Sequence, residues 1–384
     1  MTVTTPKGFR ASGVTAGLKG SGKSDLALVV NDGPSQVAAG RFTGNRVKAA
    51  PVKWSQQVLT YGRLKAVVLN SGGANACTGP EGFQDTHATA EKTAAALGCG
   101  AVEVAVCSTG LIGERLAMDR LLPGVDTAAD ALAETGGEDA ATAIMTTDSV
   151  PKNAVRTSEA GWAIGGIAKG AGMLAPGLAT MLVTLTTDAV VDAESADAAL
   201  GEACRLSFDR LDSDGSMSTN DTVLLLASGA SGVEADPAEF AAALTGLCRD
   251  LAGRLLSDAE GSTKDIAITV AGAQTEDDAV EVARRVARDN LVKTAMFGCD
   301  PNWGRILAAV GCAEAPFDAD AVDVAVNGVR ICKGGAAGQP RDLVDLSGRA
   351  VDITVDLHNG DAEATVWTND LSHDYVHENS AYST

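Results

Sequence analysis

Short, largely apolar runs, four or five residues long and closed off by glycine, asparagine or serine, recur through the first half of the chain and constrain its fold more than any other feature. Leu26–Val30, Ala66–Leu69, Val102–Val106 and Ala163–Ile167 are of this kind and predict strands. Between them Gln84–Leu97, rich in alanine and free of internal glycine or proline, predicts one helix, and Ala128–Glu134 predicts part of another. The second half continues the alternation. Asp236 stands as N-cap before Pro237, with Phe240, Leu244, Leu247, Leu251 and Leu255 along one helical face. Ile266, Ile268 and Val270 alternate as in a strand, and Thr275 then caps a charged helix that turns Val280, Ala283, Val286 and Ala287 inward. Two hairpins are expected, one turning at Asn327-Gly328 and one at His358-Asn359-Gly360, since each turn favours positive φ. The class is α with β, carrying mixed or antiparallel sheet.

At 384 residues the chain exceeds what one compact core usually holds, so two domains, or two halves sharing a layered core, are expected. That core must be aliphatic, because hydrophobic residues make up 45% of the chain and aromatic ones only 4%. A formal net charge of −20, with no basic stripe or stacking aromatics, argues against nucleic acid as a partner. Met1 to Ala11 lacks the apolar core of a signal peptide and no run is long enough for a membrane span, which leads to the expectation of a cytoplasmic protein. The eight cysteines lie far apart without a C-x-x-C pair, so free, mostly buried thiols are expected. His373 and His377 are at helical spacing, but two ligands do not complete a metal site, and no metal is assigned.

Gly17 to Ser24 (GLKGSGKS) fits the letters of a phosphate-cradling loop. That loop needs a buried strand before it and a helix after it. Ala11–Ala16 is only weakly apolar, and Asp25–Val30 runs into the turn Asp32-Gly33-Pro34, so a glycine-rich surface turn is the better reading.

The stretch from Lys169 to Leu182, KGAGMLAPGLATML, is rich in glycine and proline and enters an apolar strand at a threonine. Were the Ala179–Thr180 bond cut, Thr180 would gain a free α-amine beside its hydroxyl. Such an amine has an unperturbed pKa of roughly 7.7 to 8.0, suited to a general base at neutral pH. From the residues alone, an ordinary β-branched strand residue is the better reading of Thr180.

This segment resembles the cleavage and nucleophile motif of the ornithine acetyltransferase family, K-G-x-G-M-[LI]-x-P-x-x-A-T-[ML]-L. Further matches follow in that family's order: Asn70–Gly79, Ser108–Gly113, Ile144–Asp148, Ser213–Asp221, Glu260–Lys264, Cys299–Arg305 and Asn379–Thr384. Departures are small, such as Ala175 before the proline and Met217 between Ser216 and Ser218. The resemblance implies a layered αββα-type sandwich of two interlocked halves. It also implies self-cleavage into an α fragment, residues 1–179, and a β fragment, residues 180–384, which pair further into an α2β2 heterotetramer. By the same resemblance Thr180 is the nucleophile and Thr109 with Gly110 forms the oxyanion hole, while Thr146, Lys169, Thr180, Glu260, Asn379 and Thr384 bind substrate. The implied reaction moves acetyl from N-acetylornithine to glutamate without a cofactor. Some members of that family also use acetyl-CoA. An N-terminal-nucleophile amidase or aminopeptidase would share the self-cleavage and differ in accepting water.

Overall fold

In the computed structural model, which describes residues 1–173 and 181–381, the apolar runs become strands of two compact units. The first unit comprises Met1–Asp209 and Ser216–Leu255, and the second Arg210–Gly215 and Leu256–Ser383.

The first unit contains two sheets. Strands β1 (Phe9–Val14), β2 (Leu26–Asn31), β4 (Ala66–Asn70) and β5 (Val104–Ser108) form one in that order. Strands β3 (Val37–Phe42), β9 (Thr222–Ala227), β8 (Leu182–Thr187), β7 (Ala163–Lys169) and β6 (Lys152–Thr157) form the other. One core holds Leu28, Leu69 and Val106 of the first sheet together with Ile167, Leu182 and Leu224 of the second, so the sheets share their packing. Helices α1 (Ala50–Val58), α2 (Gly79–Leu97), α3 (Met118–Asp130) and α4 (Gly137–Ala143) pack around the four-stranded sheet, and α5 (Ala193–Arg205) lies on β3. Helix α6 (Pro237–Ser257) presses on β7 so closely that a Cβ on Gly166 would lie 2.9 Å from Leu251. Side chains alternate along a strand. With Gly166 facing α6, Ile167 and Lys169 point to the opposite face.

The second unit is a six-stranded sheet in the order β13 (Ala336–Ala337), β12 (Val329–Lys333), β11 (Asp323–Val326), β14 (Ala350–Asp356), β10 (Asp265–Ala273) and β15 (Ala362–Asn369). Helices α7 (Glu276–Ala287), α8 (Asn290–Phe297) and α9 (Trp303–Val310) accompany it, and Val282, Met296 and Ile306 join its core; α10 (His373–Ala381) ends the described chain. Thr275 caps α7 through the Asp278 N–H, and Asp236 accepts the Ala238 and Glu239 N–H groups at the start of α6, as expected.

Asn327-Gly328 turns a hairpin between β11 and β12. The second expected hairpin does not form. Strand β10 lies between β14 and β15, parallel to one and antiparallel to the other, and the His358–Gly360 turn passes over its end, where Asn359 N–H donates to Gly272 O at 2.7 Å. The α3 helix starts ten residues before the predicted Ala128 and stops at Asp130, short of Glu134. Of the cysteines, Cys107, Cys204, Cys248 and Cys332 are buried, whereas Cys77, Cys299 and Cys312 are exposed, so burial is less general than expected.

Candidate active site

Strand β5 ends at Ser108, and the chain turns through Thr109-Gly110 beside the end of β4. Thr109 N–H donates to Asn70 O, and Thr109 O accepts the Gly73 N–H, each at 3.0 Å. The buried Asn220 amide ties this turn down from behind, donating to Ser108 O at 2.8 Å and Ala74 O at 2.6 Å. Gly110 sits at φ +132, and a Cβ there would meet Gly73 N at 2.8 Å, so both conformation and close approach require glycine. Its own N–H has no acceptor among the described residues. The turn therefore offers a backbone N–H beside the Thr109 hydroxyl.

Lys169, the last residue of β7, is only 1% exposed and reaches this hydroxyl. Its ammonium donates to Thr146 Oγ1 at 2.8 Å and Thr109 Oγ1 at 3.2 Å. An ammonium can only donate, so Thr109 accepts from Lys169 and keeps its own proton to donate elsewhere. The charge is answered by Asp148, whose Oδ2 lies 4.0 Å from Lys169 Nζ. Asp148 also accepts from Lys152 Nζ and the Gly170 N–H, each at 2.6 Å, and from the Thr146 N–H at 3.0 Å. Burial alone would push the Asp148 carboxyl up, but the pull of Lys169, Lys152 and the Gly170 N–H outweighs it and holds the group at about 2.

This fixes a sign for acid stability. A carboxyl depressed in the folded state contributes stability that is complete above its unfolded value, near 4, and is lost as pH falls toward 2. The loss expected from this group is on the order of 2 to 3 kcal/mol, at roughly 1.4 kcal/mol per pKa unit. Urea midpoints measured from pH 5 down to 2 should fall more steeply in the wild type than in Asp148→Asn, which starts less stable.

Ala179 and Thr180 lie outside the described residues, but the next residue is held at both ends. Met181 N–H donates to Asp221 Oδ1 at 3.0 Å, and Met181 O accepts the Thr222 N–H at 3.1 Å. Asp221 is fully buried, and that burial pushes its carboxyl well above the usual range. Across the β7–β8 pair Lys169 faces Leu182, so the strand that leads away from Thr180 begins next to Lys169.

In the second unit Glu260 is half-buried in a turn against α10. Gly261 follows at φ +61, where a Cβ would lie 2.1 Å from Tyr375 N. Ser372 Oγ donates to Gly261 O and accepts the Tyr375 N–H, fastening the helix to that turn. One turn on, the exposed Asn379 donates to Tyr375 O at 3.0 Å. Thr384 lies outside the described residues.

Thr109, Gly110, Thr146 and Lys169 are thus brought together in the first unit, and Glu260 and Asn379 belong to the second. Sequence reading missed Asp148 and Asp221, which it placed in motifs and turns without a role. The one available signal was an acid inside each matched segment. The Gly17–Ser24 loop holds no phosphate cradle, because Asp25 takes up the N–H groups of Ala16, Leu18 and Lys19 and strand β2 follows instead of a helix. Among the described residues no three His, Cys, Asp or Glu side chains group as metal ligands, and no helix is long and apolar enough to cross a membrane.

Comparison with known proteins places these features in context. The model of the ArgJ family matches residues 10–384. The chain is 63% identical over 383 residues to the arginine biosynthesis bifunctional protein ArgJ of Streptomyces coelicolor, covering 100% of both. It is 60% identical over 384 residues to the protein of that name from Thermobifida fusca, again covering 100% of both. Among solved structures, ornithine acetyltransferase complexed with ornithine from Mycobacterium tuberculosis is 61% identical over 47% of this chain and 96% of that one, with a TM-score of 0.46.

Proposed function

The chain belongs to the ArgJ family, and we propose that it is the glutamate N-acetyltransferase of arginine biosynthesis, moving acetyl from N-acetylornithine to glutamate through Thr180. The observation that carries the reading is the Lys169 ammonium donating into the Thr109 hydroxyl beside the glycine-only turn at Gly110. In this mechanism the Thr180 α-amine takes the proton from the Thr180 hydroxyl, which attacks the acetyl carbonyl. The oxyanion is held by the Thr109 O–H and the Gly110 N–H. Collapse passes the proton to the departing amine, releases ornithine and leaves acetyl-Thr180. The glutamate α-amine then attacks this ester, forming N-acetylglutamate and restoring the hydroxyl. Thr146 and Lys169 hold the substrate, with Glu260, Asn379 and Thr384 supplying further polar contacts. No step calls for a metal or organic cofactor.

The free amine arises by self-cleavage between Ala179 and Thr180, giving residues 1–179 and 180–384. Strand β7 precedes the cut and β8 follows it, and their six-pair ladder from Ile164↔Thr187 to Lys169↔Leu182 supports fragments that stay together. The mature enzyme is an α2β2 heterotetramer in the cytoplasm. Acetyl-CoA serves as a second donor, in keeping with the bifunctional name of the relatives.

Trapping the intermediate tests the reading. Mixed with N-acetylornithine alone and quenched in acid, the 180–384 fragment should gain the mass of one acetyl group, and glutamate should remove it. Glutamate must clear it faster than water does; hydrolysis without transfer would instead mark an amidase, and an unmodified fragment would sink the mechanism.

A further inference from the structure

A cleft of about 480 Å³ opens in the first unit between the start of α1 and the start of α2. Arg46, Lys48 and Lys53 line it, along with Cys77, Pro80 and Phe83, and no acidic residue does. In a chain of net charge −20 this is an unusual concentration of cations, and none of the three forms an ion pair among the described residues. The acids nearest in sequence are engaged elsewhere: Glu81 and Asp85 both bind Arg115. The 19-residue α2 begins at the cleft, and its positive end lies there without a side-chain cap, since the Thr78 hydroxyl donates to Asn75 Oδ1.

The cleft is joined to the oxyanion turn. Residues 73–77 run between them, with Gly73 N–H on Thr109 O, Ala74 N–H on Leu111 O and the Gly113 N–H on Ala76 O. The opposite wall is fixed to the same segment by the Ala50 N–H on Asn75 O. Four residues span at most about 14 Å, so Cys77 in the cleft is within that reach of Gly73 at the turn. Neither ornithine nor glutamate carries a group that needs three cations at that distance.

We propose that this cleft seats the phosphate groups of an acyl-coenzyme A donor, its pantetheine arm running along residues 73–77 to deliver the acyl group to the Thr109–Gly110 turn. Pro80 and Phe83 give the apolar wall that a purine requires, and the volume suits the nucleotide part of such a donor alone. The assignment rests on the acetyl-transfer reading above and names the site for its second donor.

The test uses the full chain and the double variant Arg46→Glu, Lys53→Glu. The variant should raise the KM for acetyl-CoA roughly tenfold or more while leaving transfer from N-acetylornithine within about twofold of wild type. Binding is read separately by alkylating the exposed Cys77, with exposed Cys299 and Cys312 as internal standards. Adenosine 3′,5′-bisphosphate should protect Cys77 in the wild type and not in the variant. Protection without acetyl-CoA turnover would uphold the site and remove the donor activity, whereas absent transfer from N-acetylornithine would remove the underlying reading. An unchanged KM in the variant, an unprotected Cys77, or equal protection by inorganic phosphate would overturn the proposal.

Discussion

Thr180→Ala should leave one uncut 384-residue chain where the wild type, on the proposed mechanism, should separate under denaturing conditions into residues 1–179 and 180–384. Acetyl transfer will fall by roughly 10⁴-fold or more, the scale on which removal of a covalent nucleophile acts. On the proposed mechanism two losses coincide in this variant: the hydroxyl that would accept the acetyl group is gone, and without the cut the α-amine that would serve as its base never forms. Thr180→Ser keeps both groups and should remain cleaved and active. The fold should survive either change, because the β7–β8 ladder starts at Leu182 and Met181 keeps its bonds to Asp221 and Thr222 through backbone atoms. A melting temperature within a few degrees of wild type would show this. Intact mass spectrometry decides the matter: cleavage persisting in the alanine variant, or an uncut yet active wild type, would remove Thr180 from its role.

What could be read ahead of the structure was local. Caps at Asp236 and Thr275 and the tight turn at Asn327-Gly328 depend on neighbours within three or four residues, so their chemistry is written in adjacent letters. The turn at His358–Gly360 looked the same and misled, because pairing β14 with β15 would need the space that β10 takes, and β10 lies some 80 residues earlier in the chain. The first ten residues of helix α3 escaped for a local reason: Pro123 stands among them, where a missing N–H argues against helix.

The site divides in the same way. Ser108–Gly113 could be recognised as a strand-ending turn with a hydroxyl, but the demand for glycine at 110 comes from Gly73, brought alongside by β4 and β5. Lys169 stood among the substrate-binding residues that the resemblance implies; its contact with Thr109, 60 residues away, depends on β7 placing it on the inner face. Asp148 and Asp221 illustrate the limit most clearly. Each works by holding a group from another strand end, Lys169 in one case and the Met181 N–H in the other, and no spacing rule announces such pairs.

That contact makes the second prediction specific to the geometry. Thr109→Val keeps the shape of the buried side chain but removes the O–H proposed to hold the oxyanion, and should lower kcat by about 10²–10³, or roughly 3 to 4 kcal/mol of barrier, with little change in KM. Thr109→Ser restores the donor and should recover most of the rate. The proposed self-cleavage would pass through an oxyanion of its own, so newly made Thr109→Val should also be cut more slowly. If Lys169 acts through Thr109, by filling its acceptor site and leaving its proton free, the two residues must couple. Lys169→Met in the Thr109→Val background should then cost less than Lys169→Met alone, the remaining loss reflecting its hold on Thr146 and Asp148. Losses that simply multiply would mean that Lys169 meets the substrate independently of the hydroxyl. An unchanged kcat in Thr109→Val would remove the Thr109 O–H from the oxyanion hole and leave the Gly110 N–H as its remaining proposed donor.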